Sequence, residues 1–360
     1  SHFIPRRGNA NLWLYPVVVT HTHGSEHSAG WCALNSIGYI MASWLHVIGH
    51  GLILRFISRY SGRVENQDTT KVPTGLALYN RAAHRASKEV IYSYSTSFGM
   101  ATRVLNKGLR HHVENIYALV RVADEIVDGC AAQASAESDG FDPGVLLTEF
   151  ENETYLALKR GFSTNLVIHA FALTAREVGI KKDIIEPFFF SMRQDLTETI
   201  HDQKSFQVYV YGSAEVVGLM CLAAFVHGRN YSEEQKLLLV KGARALGAAF
   251  QKVNFLRDLA ADFDKLGRSY FPDVAIETFD EETKNRLVRD IENDLQISAL
   301  SLPLLESSAR KAVTAAQFLF QELNDKISKT PAEELIRTRI SVNNLRKLFV
   351  LAKALLGVKP

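Results

Sequence analysis

Two short stretches of the chain place acids at helical spacing. In ENIYALVRVADEIVDG, Asp124 and Asp128 stand four residues apart, and in QKVNFLRDLAADFDKLGRSYFP, Asn254, Asp258 and Asp262 follow at i, i+4 and i+8. Residues four apart share a helix face. Asp124 and Asp128 therefore join a stripe with Tyr117 and Arg121, and Gln251 joins the second stripe. Like charges at this spacing repel by about 0.2–0.5 kcal/mol, so a repeated Asp-on-Asp arrangement needs a reason. Short carboxylates on successive turns suit oxygen ligation of a hard cation, Mg²⁺ with Mn²⁺ as substitute, bridging protein to a substrate diphosphate. Two readings stand at this point: solvated acidic faces, or one metal–diphosphate site. A single D-x3-D says little, whereas the pairing with N-x2-R-D-x3-D is a stronger signal.

Diphosphate chemistry also gives work to the neighbouring residues. Arg121 lies one turn before Asp124, Arg257 directly precedes Asp258, and Arg268 and Tyr270 follow in GRSYFP. Guanidinium groups neutralise phosphate oxygens. Ser95 and Ser97 of YSYSTSF add hydroxyl donors. Each has a plainer alternative: Arg121 can pair with Glu125, and the serines can start a helix.

The elements that must position these groups are helical. Apolar residues recur at three- and four-residue spacing over 116–127, 237–250, 253–263 and 312–323. No proline interrupts 74–142 or 188–271. The stretches 131–144 and 267–273 read as loops. No GxGxxG, P-loop or GxSxG is present. The fold class is therefore all-α, one large helical domain over 76–360.

Residues 1–75 form an atypical N-terminal arm and linker. The first 64 residues hold all three tryptophans and six of the twelve histidines, with Glu26 their sole acid and no Lys or Asp. Ser36–Leu54 is apolar, but His46, His50 and three glycines make an interfacial or buried helix the better reading than a span. His21, His23 and His27 form H-x-H-x3-H, which suits a metal by spacing, but the better reading leaves them outside the functional unit. A formal charge of +2 argues against nucleic acid as partner. Three dispersed cysteines point to a reducing, cytoplasmic setting.

Taken in order, YSTSF (94–98), RVADEIVD (121–128), MRQDL (192–196), YVYGSAEVVG (209–218) and QKVNFLRDLAAD with GRSYFP (251–272) resemble the landmarks of the squalene/phytoene synthase family. The resemblance covers roughly Leu76 to Leu356 and leans toward the phytoene-forming branch. It implies an all-α isoprenoid synthase fold around a central cavity. It also implies Mg²⁺ ligation by Asp124, Asp128, Asn254, Asp258 and Asp262, and diphosphate contacts from Ser95, Ser97, Arg121, Gln251 and Arg257. Tyr209 matches a tyrosine of proton handling, and Phe98 a cavity aromatic. One departure stands out: the family's Ala-Gly is Ala214-Glu215 here, and a glutamate there narrows the pocket, sits at its mouth or turns outward.

The implied activity is head-to-head condensation of two geranylgeranyl diphosphates to phytoene, within carotenoid biosynthesis and beside its other enzymes, without NADPH. The alternatives are squalene or dehydrosqualene formation from farnesyl diphosphate, and a non-catalytic helical interaction protein. Apolar walls are expected around the cavity; Phe188, Phe189 and Phe190 and the helix of Val216, Val217, Leu219 and Met220 are candidates for them, with plain core packing the favoured reading residue by residue. The basic, amphipathic Asn344–Val358 is either a packed last helix or a peripheral membrane contact.

Overall fold

The computed structural model describes residues 73–358 except 138–139, 199, 267–269, 273 and 275–277; over 261–266 only the backbone course is described. The calls on the arm, including its histidines and its apolar stretch, and the call on Arg268 lie outside the described residues.

Sequence-local signals start most of the helices. They run Gly75–Tyr94 (α1), Thr96–Thr102 (α2), Lys107–Val127 (α3), Cys130–Ala136 (α4), Pro143–Arg160 (α5), Leu166–Val178 (α6), Lys182–Thr197 (α7) and Gln203–Val210 (α8). Then follow Val216–Val226 (α9), Glu233–Leu266 (α10), Glu281–Ser301 (α11), Ser307–Lys329 (α12), Ala332–Leu335 (α13) and Asn344–Leu355 (α14). Asn106, Asp142, Asn165, Asp202, Asp280 and Asn343 each sit at an N-cap and accept a first-turn N–H. No strand occurs among the described residues. The expected loop at 131–144 is helical over its first part, because α4 runs from Cys130 to Ala136.

Apolar faces meet in several clusters. Ile116, Leu119 and Ala123 of α3 pack with Phe171 of α6, Phe188 and Phe189 of α7, and Met220 of α9. Val253, Leu256 and Phe255 of α10 pack with Ile291 and Leu295 of α11 and Phe320 of α12. Leu105, Leu222, Phe225, Leu239 and Leu305 form a third group. The stretch Gln203–Val226 has a mean hydropathy of 1.6 and the length to cross a membrane, yet half of its apolar window is buried in the fold.

That stretch is not one regular helix. Tyr211–Glu215 forms a π-turn between α8 and α9, a single-turn bulge of the kind that re-aims side chains. Its Gly212 faces the Pro187 carbonyl and Ser191 hydroxyl of α7 with no room for a Cβ. The Ser191 hydroxyl donates to the Tyr209 carbonyl at 3.2 Å, supplying a partner where the helical ladder is disturbed. Gly218 likewise meets the Ala243 carbonyl of α10, and Gly247 of α10 meets the Ala214 carbonyl. Gly212→Ala is expected to destabilise the protein by about 1–3 kcal/mol through overpacking, read as a lower urea midpoint at unchanged slope.

Candidate active site

Backbone contact between α9 and α10 leaves a cavity of about 300 Å³ beside them. Ser213, Ala214, Val217, Cys221, Leu222 and Phe225 form one wall. On α10 the lining runs from Leu239 through Gly242, Leu246 and Phe250 to Gln251 and Asn254, about 22 Å along the helix axis. Tyr117 and Val120 of α3 and Phe98 of α2 face the same space. Phe98 lies 5.9 Å, ring to ring, from both Phe250 and Phe320, and 6.2 Å from Tyr117. The lining is apolar except for Gln251, Asn254, Tyr117 and Ser213 towards one end and Thr102, Ser298 and Ser301 elsewhere.

Core packing, the favoured reading, holds for most of the candidate wall residues. Phe188 and Phe189 are fully buried in the α3–α7 core, and Phe190 is half-exposed. A bulky run on a helix next to Pro187 packs away from the cavity. Val216 and Met220 also serve the core, whereas Val217 lines the cavity.

The helices that carry the two acidic motifs both line the polar end, α3 through Tyr117 and Val120 and α10 through Gln251 and Asn254. Asp128 caps α3, its N–H bonded to the Asp124 carbonyl. The Arg121 guanidinium lies 2.7 Å from Asp124 and also pairs with Glu125, while stacking 4.5 Å over the Tyr94 ring. The ion pair with Glu125 is thus present alongside the one with Asp124. Burial pushes the Asp124 carboxyl up to about 6, with Asp128 and Glu125 adding to the rise and Arg121 opposing it. A group so placed gains from an added positive charge.

On α10, Asp258 is held from two sides. Arg257 pairs with it, and the Arg339 Nε lies 2.6 Å from its other oxygen. Arg339 arrives from 81 residues away on the strap after α13, where the Ile340 N–H donates to the Arg257 carbonyl at 3.3 Å. Asn254 Oδ1 is buried with no hydrogen-bond partner, and its residue lines the cavity. An orphaned acceptor of this kind costs free energy unless something donates or ligates. Asp262 lies on α10 one turn beyond Asp258, and its side chain is outside the description.

The hydroxyl segment precedes α2. Ser95 caps that helix, accepting from the Phe98 N–H at 3.1 Å, and Tyr117 bonds to it as well. Ser97 is half-buried on the first turn. Lys347 of α14 donates to Thr96 Oγ1 at 3.0 Å. Tyr209 is buried outside the cavity lining, and its hydroxyl donates to Asp195 of MRQDL at 2.7 Å. Burial and the Asp195 charge raise its phenol well above the usual value. It stacks against Tyr270 at 5.5 Å and Phe255 at 6.0 Å. Glu215 turns from the cavity to Arg244, whose Nε lies 2.6 Å away.

Sequence reasoning passed over Arg339, Lys347, Asp195 and Ser213. The first two stand in RTRISVNNLRK, where no spacing marks them; only chain return brings them to the motifs. Asp195 was visible inside MRQDL but carried no assigned role.

The sequence profile of squalene/phytoene synthases matches residues 91–346. The chain belongs to the squalene/phytoene synthase family. It is 28% identical to the 15-cis-phytoene synthase of Paracoccus sp. over 190 residues, 52% of this chain and 59% of that one. It is 25% identical to the 15-cis-phytoene synthase of Enterobacter agglomerans over 281 residues, 72% and 90%. Against phytoene synthase 3 of Zea mays the match is 30% identical and spans 63% of this chain and 51% of that protein. The chain thus spans less than two thirds of the first curated relatives it matches. A dehydrosqualene synthase crystal structure with ligand superposes with a TM-score of 0.64 at 21% identity, covering 78% of this chain and 97% of that one. The isoprenoid synthase fold expected from the motifs is therefore the one adopted, and members of the squalene/phytoene synthase family are prenyltransferases.

The shifted Asp124 carboxyl makes a checkable statement about stability. Its value rises from 3.8 to about 6 on folding, so the native state binds that proton more tightly. Its stabilising contribution is present below about pH 4 and is lost as pH climbs through 6. In EDTA, Asp124→Asn should melt above the wild type at pH 7 and converge with it at pH 4, by calorimetry.

Proposed function

We propose that this protein is a Mg²⁺-dependent prenyltransferase that condenses two geranylgeranyl diphosphates head to head to phytoene. The observation that carries the reading is the buried, partnerless Asn254 Oδ1 at the polar end of a long apolar cavity. An all-oxygen donor set of Asp124, Asp128, Asn254, Asp258 and Asp262 fits a hard cation. Bound there, Mg²⁺ supplies electrostatic stabilisation to the diphosphate as it leaves.

The protein's own residues do the rest. Arg121, Arg257 and Arg339 already lie against the motif carboxylates and can turn from them to phosphate oxygens as the diphosphate charge arrives. Ser95 and Ser97, with Gln251, add hydrogen-bond donors. The apolar wall from Phe98 to Leu239 keeps water from the allylic cation, which would otherwise be quenched. The high-pKa Tyr209 stays protonated and acts as a donor that orients Asp195 beside the π-turn. The phytoene-forming relatives in bacteria and plants support this branch, and the length of the cavity suits a long prenyl chain.

The rival reading, a C30 product from farnesyl diphosphate, draws on the dehydrosqualene and squalene synthase fold neighbours. Purified protein with Mg²⁺ should convert geranylgeranyl diphosphate to phytoene without NADPH, analysed by chromatography of the hydrocarbon. Asp258→Ala should cut that rate by at least about 100-fold with unchanged helicity. Squalene formed from farnesyl diphosphate only when NADPH is present would sink the phytoene reading.

A lipid substrate and product also call for a surface, which α14 supplies. Leu345, Leu348, Phe349 and Leu356 are exposed along one stripe, while Val350 and Ala354 pack inward. Arg346 lies beside the stripe, paired with Glu322, and Lys347 points to the inner side. Such a helix lies in an anionic interface, and Lys347 ties it to the hydroxyl segment beside the site. Leu348→Glu with Phe349→Glu should abolish co-sedimentation with phosphatidylglycerol vesicles while leaving the melting temperature in place.

A further inference from the structure

A second group of ligating side chains lies at the other end of α3. His111 and His112 occupy its first turns, and Glu177 ends α6, which packs beside it. His112 is 12 residues before Asp124, about 18 Å along the helix, so this group is not part of the acidic motifs. Adjacent residues on a helix ordinarily point in different directions. Here the two imidazoles lie 4.1 Å apart, centroid to centroid. One ligating atom from each of His111, His112 and Glu177 lies within 4.8 Å of the others, with His112 Nε2 at 3.7 Å from Glu177 Oε1.

We propose that His111, His112 and Glu177 bind a transition-metal dication of the Zn²⁺ class, clipping α3 to α6 on the outside of the domain. Tetrahedral Zn²⁺ with bonds near 2.0–2.1 Å wants its ligand atoms about 3.4 Å apart. The His112–Glu177 pair is nearly there, and the widest gap closes by rotation of the exposed Glu177 and half-buried His111 side chains.

The groups behind the imidazoles are those a metal site needs. His111 Nδ1 lies 3.1 Å from the Lys107 carbonyl; a carbonyl only accepts, so the proton is on Nδ1 and the Nε2 lone pair is open. His112 Nδ1 lies 3.1 Å from Thr174 Oγ1, which also accepts from Asn115 Nδ2 at 2.9 Å. Thr174 can accept both, which leaves His112 Nε2 as the ligand. Two imidazoles and one carboxylate select Zn²⁺, Co²⁺, Ni²⁺ or Cu²⁺ over Mg²⁺. The inference is independent of the proposed reaction.

The full chain, stripped with EDTA, is titrated with Co²⁺ while its visible d–d absorption is followed, then with Zn²⁺ in competition. Melting temperature with and without Zn²⁺ is read in parallel. Wild type is expected to develop the low-coordinate Co²⁺ spectrum and to melt higher with Zn²⁺. His111→Ala, at a half-buried position, and Glu177→Gln, at an exposed one, should each lose at least about 10-fold in affinity together with the Zn²⁺-dependent rise. Asp124→Ala and the triple arm variant H21A/H23A/H27A should keep both signals, which separates this site from the acidic motifs and the arm. Unchanged Co²⁺ affinity and spectrum in His111→Ala and Glu177→Gln would overturn the proposal. So would a wild type that neither binds Co²⁺ nor shifts its melting with Zn²⁺.

Discussion

The backbone-to-backbone crossing of α9 on α10 is the constraint from which the site follows. Gly218 against the Ala243 carbonyl and Gly247 against the Ala214 carbonyl allow an approach that any side chain would block. Because the helices touch there, their remaining side chains divide between two sides. Val217, Cys221, Leu246 and Phe250 face the cavity, and Glu215 and Arg244 pair outside it. The π-turn belongs to the same arrangement. One extra residue in the turn carries Ser213 and Ala214 to the cavity while Tyr209, one turn earlier, meets Asp195.

Charge at the mouth answers a second requirement. Burial makes the Asp124 carboxyl resist ionisation, with Asp128 and Glu125 adding to the rise. Arginines hold the motif carboxylates: Arg121 pairs with Asp124 on α3, and Arg257 of α10 together with Arg339 of the strap after α13 pairs with Asp258. The same guanidiniums suit phosphate once the carboxylates have another counter-charge. One set of cations thus serves both states, and breaking a pair leaves no charge stranded.

Much of this was legible in the chain. Asp124 and Asp128, and Asn254 with Asp258, lie at spacings a helix converts directly into one face, and the N-caps Asn106, Asp280 and Asn343 act within four residues. Glu215 shows the opposite case. Its type left a narrowed pocket, a place at the mouth and an outward turn all open, and Arg244, 29 residues on, decides for the last. The aromatic run Phe188–Phe190 left core and cavity both open for a similar reason: apolarity marks burial, and only packing tells one from the other.

Local periodicity by itself determined that the domain is helical, which helices carry acids, and that those acids lie in stripes. It did so because a helix relates residues three and four apart, a distance the sequence displays. Tertiary structure alone decided that Arg339 reaches Asp258, that Lys347 reaches Thr96, and that His111, His112 and Glu177 converge. Those contacts join residues from 65 to more than 250 positions apart, and they arise from which helices pack together.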